Sequence, residues 1–160
     1  MNDSRFKTLR HIETVRNYMN AIICELMKRQ EQHDQSKLQS PEVEYFDKYT
    51  PLLRSITYGS DEYKRIMEEM RPAITHHNQS NRHHPEFHGD GISRMNLIDL
   101  IEMMCDWKAA GMRHADGNLF KSLLINKKRF GISDQLYEIL YNTAAYLEFE
   151  AEVFCKAEES

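Results

Sequence analysis

The chain has 160 residues, of which 41% are hydrophobic and 29% charged, as is typical of one globular domain with a core. Its formal net charge of −4 argues against an extended nucleic-acid surface. The three cysteines are widely spaced and odd in number, so neither a disulfide framework nor a zinc ribbon is indicated. No segment has the apolar run of a signal peptide or a membrane span, so we expect one cytoplasmic domain over residues 1–160.

The first half of the chain predicts three helices. Apolar residues recur at steps of three and four over residues 5–30, the pattern of a long amphipathic helix. Ser40-Pro41-Glu42 places a capping hydroxyl, a proline and an acid in order, so a second helix is predicted to start at the proline and to end or bend at Pro51. A third helix is predicted over residues 61–77, with Pro72 able to kink it.

The second half predicts a loop followed by two helices. Turn residues dominate residues 78–91 and indicate a loop. Asn96 and Asp99 resemble a capping box that opens an apolar helix ending near Gly111. Ser133 is placed to cap a last helix over residues 134–154, and no strand pattern occurs, so the predicted fold class is all-α. The apolar residues of the last helix are compatible with a homodimer interface as well as with a core. These residues are Leu136, Ile139, Leu140 and Tyr146.

Histidines and carboxylates supply the ligands of a hydrolytic metal site, which draws neutral imidazoles and carboxylates from several helices. His11 lies on the same side of the first helix as its apolar residues, so we expect it to point inward. His33 and Asp34 are adjacent, and neighbours on a helix diverge by about 100°, so both reach one metal only where the regular helix ends. Asp106 offers a carboxylate from the predicted apolar helix.

The order His11, His33-Asp34, Asp106 resembles that of the HD superfamily of metal-dependent phosphohydrolases. This resemblance implies a helical bundle around a metal site, with those four residues as ligands. In HD proteins that bind two metals, two further histidines lie before the last aspartate, and a lysine often follows the Asp of the HD pair by three residues. Lys37 stands at that position.

A closer resemblance is to a group of short phage and bacterial HD-like proteins without a settled function. They share three motifs, HDxSK, HHPE and EMxxDW. All three occur here, at residues 33–37, 83–86 and 102–107.

The histidine-rich segment over residues 75–91 would then serve a second metal. We assign to it His77 and one of His83 and His84, with His76 as the alternative to His77. The cofactor predicted in this way is one or two divalent ions, drawn from Mn, Mg, Co, Ni, Zn or Fe. The competing interpretation of the segment is a polar surface loop or an adventitious metal site.

Three further residues receive roles from the same resemblance. Glu86 would orient a ligand histidine or bind a metal itself. Lys37 and Arg82 would hold a substrate phosphate through charge-assisted hydrogen bonds.

These observations favour a metal-dependent phosphohydrolase that attacks a nucleotide or another small phosphoester with metal-activated water. Two alternatives remain open. One is a di-iron oxygenase of the HD superfamily, which redox-active iron would distinguish from a hydrolase. The other is a non-catalytic, metal-stabilised protein that binds a nucleotide or another protein.

Overall fold

In the computed structural model of the chain, residues 4–53, 56, 60–112 and 118–158 are described, with side chains as far as residue 147. All regular structure in these ranges is helical, which confirms the predicted all-α class. The α-helices of these ranges are α1 (Ser4–Gln32), α2 (Val43–Leu53), α3 (Asp61–Glu69), α4 (Arg71–Ser80), α5 (Leu97–Gly111), α6 (Leu119–Phe130) and α7 (Asp134–Glu158). Short 3₁₀ turns occupy Gln35–Leu38, Pro85–Phe87 and Gly91–Arg94.

The chain divides into two compact units, Met1–His77 and Asn78–Ser160. Each unit has an apolar cluster of its own. The prediction of one domain over residues 1–160 stays a prediction. Among the helices in the described ranges, none is long and apolar enough to cross a membrane.

In the first unit, α2 packs against α3 around Tyr49, Ile66 and Met70. The prediction that this second helix starts at Pro41 is wrong, because α2 begins at Val43. The backbone N–H groups of Glu42 and Val43 both donate to the Gln39 carbonyl, at 3.0 and 2.9 Å, and close a turn before the helix.

The predicted third helix is two helices. Ser60 caps α3 by accepting a hydrogen bond from the backbone N–H of Tyr63, at 3.1 Å. The helix ends at Glu69 with Met70 as its C-cap, and α4 begins at Arg71 with Pro72 in its first turn. A proline fits a first turn because its missing N–H has no intrahelical partner there. The proline therefore opens a new helix instead of kinking one.

The second unit is built on α5, α6 and α7, with α6 packed against both of the others. The predicted capping box of α5 is confirmed, since Asn96 and Asp99 bond each other's backbone N–H at 3.0 and 3.1 Å. The sequence analysis missed α6, although Asn118 caps its start and Gly131 ends it at φ 63°. The core comprises Met95, Leu100, Met103, Met104, Leu119, Leu123, Leu140 and Ala144.

The last helix begins after its predicted cap, and some of its side chains belong to this core. The Ser133 hydroxyl accepts a hydrogen bond from the backbone N–H of Leu136, at 3.3 Å. Leu140 is buried and Leu136 packs against the core, while Ile139 and Tyr146 are exposed. The helix continues to Glu158, four residues beyond its predicted end.

Candidate metal centre

The end of α1 sets the geometry of the HD pair. The helix stops at Gln32, and Asp34 has a left-handed backbone with φ 57° and ψ 11°. Aspartate tolerates this conformation better than most residues do, but it still costs about 1 kcal/mol or more. The departure from the helix brings His33 Nε2 to 3.6 Å from Asp34 Oδ2. The predicted break of the helix at this pair is therefore present.

The carboxylate of Asp34 lies between two imidazoles of the first unit. Its Oδ1 is 3.2 Å from His77 Nε2, while its Oδ2 is 3.6 Å from His33 Nε2. The ammonium group of Lys37 donates to the same Oδ2 at 2.5 Å. Burial by itself would raise the pKa of Asp34, but hydrogen bonds from His77 and Lys37 outweigh it and hold the pKa well below its usual range. Asp34 is therefore ionised at neutral pH.

Glu42 holds the ring of His77 from the other side. Its side chain is fully buried, and its Oε2 accepts hydrogen bonds from His77 Nδ1 at 2.9 Å and from the Ser36 hydroxyl at 3.0 Å. Its Oε1 accepts from His76 Nδ1 at 2.7 Å. A carboxylate only accepts hydrogen bonds, so Nδ1 of His77 carries the proton. Sequence reasoning missed this role because Glu42 looked like the first-turn acid of a helix.

The tautomer of His77 explains why its neighbourhood suits a cation. With Nδ1 protonated, a neutral His77 presents the lone pair of Nε2, which lies 3.2 Å from the Asp34 oxygen. Two lone pairs at this separation repel each other, so the hydrogen bond from His77 to Asp34 requires a proton on Nε2, and a metal ion would take the place of that proton. Two ligand atoms bound to one zinc-like ion are about 3.4 Å apart. The separation of Asp34 Oδ1 and His77 Nε2 therefore fits two ligand atoms of one divalent metal, while His33 lies at the other oxygen of the same carboxylate.

The two neighbouring histidines of α4 occupy different environments. His77 lies beside Asp34, with only 5% of its side chain exposed. The side chain of His76 is 44% exposed, and its Nδ1 bonds Glu42. Adjacent positions on a helix point about 100° apart, and this separates their roles. The structure thus places His77, and not His76, next to the HD pair.

A second group of candidate ligands lies in the second unit. His83 is buried, and its Nδ1 is 3.1 Å from Glu102 Oε1, so the glutamate fixes the tautomer that leaves Nε2 as the ligand atom. The rings of His83 and His84 are 4.2 Å apart between centroids. Possible ligand atoms of His83 and Asp106 lie within 4.8 Å of each other, as do those of His83 and His84. Glu102 and Asp106 are one turn apart on α5.

Arg82 and Glu86 have other partners than those expected. The guanidinium of Arg82 donates from Nε and Nη2 to the two oxygens of the fully buried Asp99, each at 3.1 Å. It therefore satisfies a buried carboxylate, and its role in holding a phosphate stays a prediction. Glu86 accepts from Arg129 Nη2 at 3.2 Å, so the predicted contact with a ligand histidine is replaced by an ion pair.

The structure does not bring His11 to the HD pair. The residue lies on α1, which is one continuous helix and ends just before His33. Twenty-two residues of helix separate the two histidines by about 33 Å. The expectation that His11 points inward is wrong in this structure, since its side chain is exposed.

Residues 1–146 match the model of a family of unknown function (DUF5662), so the chain belongs to that family. No curated protein and no solved structure matches the chain. The resemblance to HD phosphohydrolases therefore stays a hypothesis.

Proposed function

We propose that this member of a family without an assigned function is a metal-dependent phosphohydrolase of the HD type, acting on a nucleotide or another small phosphoester. One observation carries the proposal. The ionised carboxylate of Asp34 lies between the imidazoles of His33 and His77, and buried Glu42 holds His77 in the tautomer that binds metals. Such a carboxylate–histidine pair is the usual support of a metal-binding imidazole.

A bound divalent ion lowers the pKa of a water molecule toward neutrality and neutralises charge on phosphoryl oxygens. The protein's own part is to hold the ligands in place. His33, Asp34 and His77 would bind the ion in the first unit. Because Asp34 is ionised well below neutral pH, no proton has to leave it when an ion binds.

Lys37 is the residue proposed to receive the substrate phosphate. Its ammonium group lies 2.5 Å from Asp34 Oδ2, and 28% of its side chain is exposed, so solvent reaches it. A lysine ammonium can donate three hydrogen bonds, so a contact with Asp34 leaves donors for a phosphate oxygen. We therefore expect Lys37 to act on substrate binding more than on metal binding.

The second unit holds the remaining predicted ligands, which are His83, His84 and Asp106, with Glu102 orienting His83. The sequence assigns Asp106 to the first ion, and His77 with one of His83 and His84 to the second. The prediction that all of these residues serve one binuclear centre stays a prediction. A binuclear centre predicts two bound ions per chain, whereas a single metal site predicts one.

The test is phosphate release from a panel of nucleotides and small phosphoesters, with protein loaded separately with Mn²⁺, Mg²⁺, Co²⁺, Ni²⁺, Zn²⁺ and Fe²⁺. Asp34→Asn removes a proposed ligand, and Asp47→Asn makes the same change at an exposed position of α2. We expect turnover by the wild type and by Asp47→Asn, and a loss of roughly 100-fold or more in Asp34→Asn.

Three outcomes would overturn the hydrolase proposal. The first is equal activity in the two variants. The second is turnover that requires iron and oxygen, which would favour the oxygenase alternative. The third is tight nucleotide binding without phosphate release in any metal, which would favour a binding protein.

A further inference from the structure

In the part of the chain that the structure describes, the first helix has an apolar face that its own unit leaves uncovered. None of the side chains of α1 is buried. Ile12, Val15, Met19 and Ile22 lie on this face, with exposed fractions between 42% and 57%. Isolated helices in water are marginal, and most helical stability in proteins comes from packing of such a face. A helix of 29 residues with this face needs a partner surface.

The apolar residues of this face have the spacing of a helix that pairs with an identical helix. Ile12, Val15, Met19, Ile22 and Leu26 follow each other at alternating steps of three and four, and none of them is charged. This is the a/d spacing at which side chains interlock with the same pattern on a second helix. A two-fold symmetric contact presents one such face to its identical copy.

We propose that the apolar face of α1 binds the same face of a second copy of this chain, forming a homodimer. The proposal is independent of the metal chemistry.

The available area suffices for a specific dimer. Eight large apolar side chains on or beside this face are exposed, each by 42% to 72%. Complete burial removes roughly 60–120 Å² of surface from water for an aliphatic side chain, and more for an aromatic one. Pairing the helices thus buries on the order of 500 Å² per copy, or about 1,000 Å² in total. A specific interface is expected to reach about 1,000 Å².

Two variants with the same change of charge separate the two faces of the helix. Met19→Glu places a carboxylate in the centre of the apolar face. Asn17→Glu places one two residues earlier, on the opposite face, because two residues of helix rotate by about 200°. Both positions are exposed, so neither substitution removes a contact within the chain.

Sedimentation velocity over 1–100 µM provides the measurement. We expect the wild type and Asn17→Glu to sediment at twice the 19.0 kDa chain mass, and Met19→Glu to dissociate at least about tenfold more readily. Because α1 depends on its partner, circular dichroism should show a loss of helix in Met19→Glu only at concentrations at which the variant is monomeric. A monomeric wild type would overturn the proposal, and so would a wild-type assembly larger than a dimer or a Met19→Glu variant that dimerises normally. A monomeric wild type in which Met19→Glu lowers the Tm would indicate that the face packs within its own chain.

Discussion

Glu42→Gln tests how a buried carboxylate supports the candidate metal centre. The substitution keeps the shape of the side chain but replaces one acceptor oxygen by an NH₂ donor. In the wild type, Oε1 accepts one hydrogen bond and Oε2 accepts two, from His76, His77 and Ser36 respectively. The amide oxygen can keep only one of these positions. At the other position the NH₂ group faces another hydrogen-bond donor, so no bond forms there. The hydrogen bonds that remain are weaker, because the amide carries no negative charge.

The substitution should change two quantities, the stability of the metal-free protein and its affinity for metal. A hydrogen bond to a charged group contributes about 1.5–3 kcal/mol and a neutral one about 0.5–1.5 kcal/mol, while removal of the buried charge offsets part of the loss. We therefore expect the metal-free protein to lose about 1–2 kcal/mol, which lowers the Tm by about 2–8 °C. With the tautomer of His77 no longer fixed, metal affinity should fall by about 10- to 100-fold.

The assays are thermal unfolding in chelator and titration with a divalent metal. Glu44→Gln is the matched control, because it makes the same change two residues later at an exposed position in the first turn of α2. It loses only a favourable interaction with the helix dipole, of about 0.3–1 kcal/mol, and should bind metal like the wild type. If Glu42→Gln and Glu44→Gln bind metal with equal affinity, Glu42 does not hold His77 in its ligand tautomer.

Three further predictions concern other parts of the chain. Arg82→Ala removes the guanidinium that donates two hydrogen bonds to buried Asp99, and it should lower the free energy of unfolding in urea by about 2–3 kcal/mol. Arg94→Ala breaks an exposed ion pair and should lower it by less than about 1 kcal/mol. Equal losses in the two variants would contradict this prediction. Gly131→Ala meets no atom within 4 Å but keeps φ at +63°, so it should cost about 1 kcal/mol by the same method, and a neutral result would exclude strain at this position. Lys37→Ala should raise the KM for phosphoesters while leaving metal content unchanged, and loss of the metal would instead make Lys37 part of the metal site.

Local sequence signals predicted much of the secondary structure. The capping box of Asn96 and Asp99 and the cap at Ser133 depend on short-range hydrogen bonds, and both formed as expected. The same kind of signal failed at Glu42. Ser40-Pro41-Glu42 looks like a helix start, but the glutamate is buried by contacts with side chains up to 35 positions away. No local pattern contains that information.

The candidate site was predictable in part. The adjacency of His33 and Asp34 required a helix end, and the left-handed backbone of Asp34 provides a departure from the helix there. The choice between His76 and His77 required the orientation of α4, which the sequence does not specify. The role of His11 was inferred from motif order and from its position on the apolar side of the helix, and the continuous α1 helix carries that residue away from the HD pair.

The metal content of two histidine variants tests the central claim most directly. After incubation with divalent ions and dialysis, plasma mass spectrometry should find at least one ion per chain in the wild type and in His76→Ala. His77→Ala, which makes the same change one position later, should lose an ion because its ring lies beside Asp34. No bound ion in the wild type, or equal metal content in the two variants, would contradict the assignment of His33, Asp34 and His77 as a metal site.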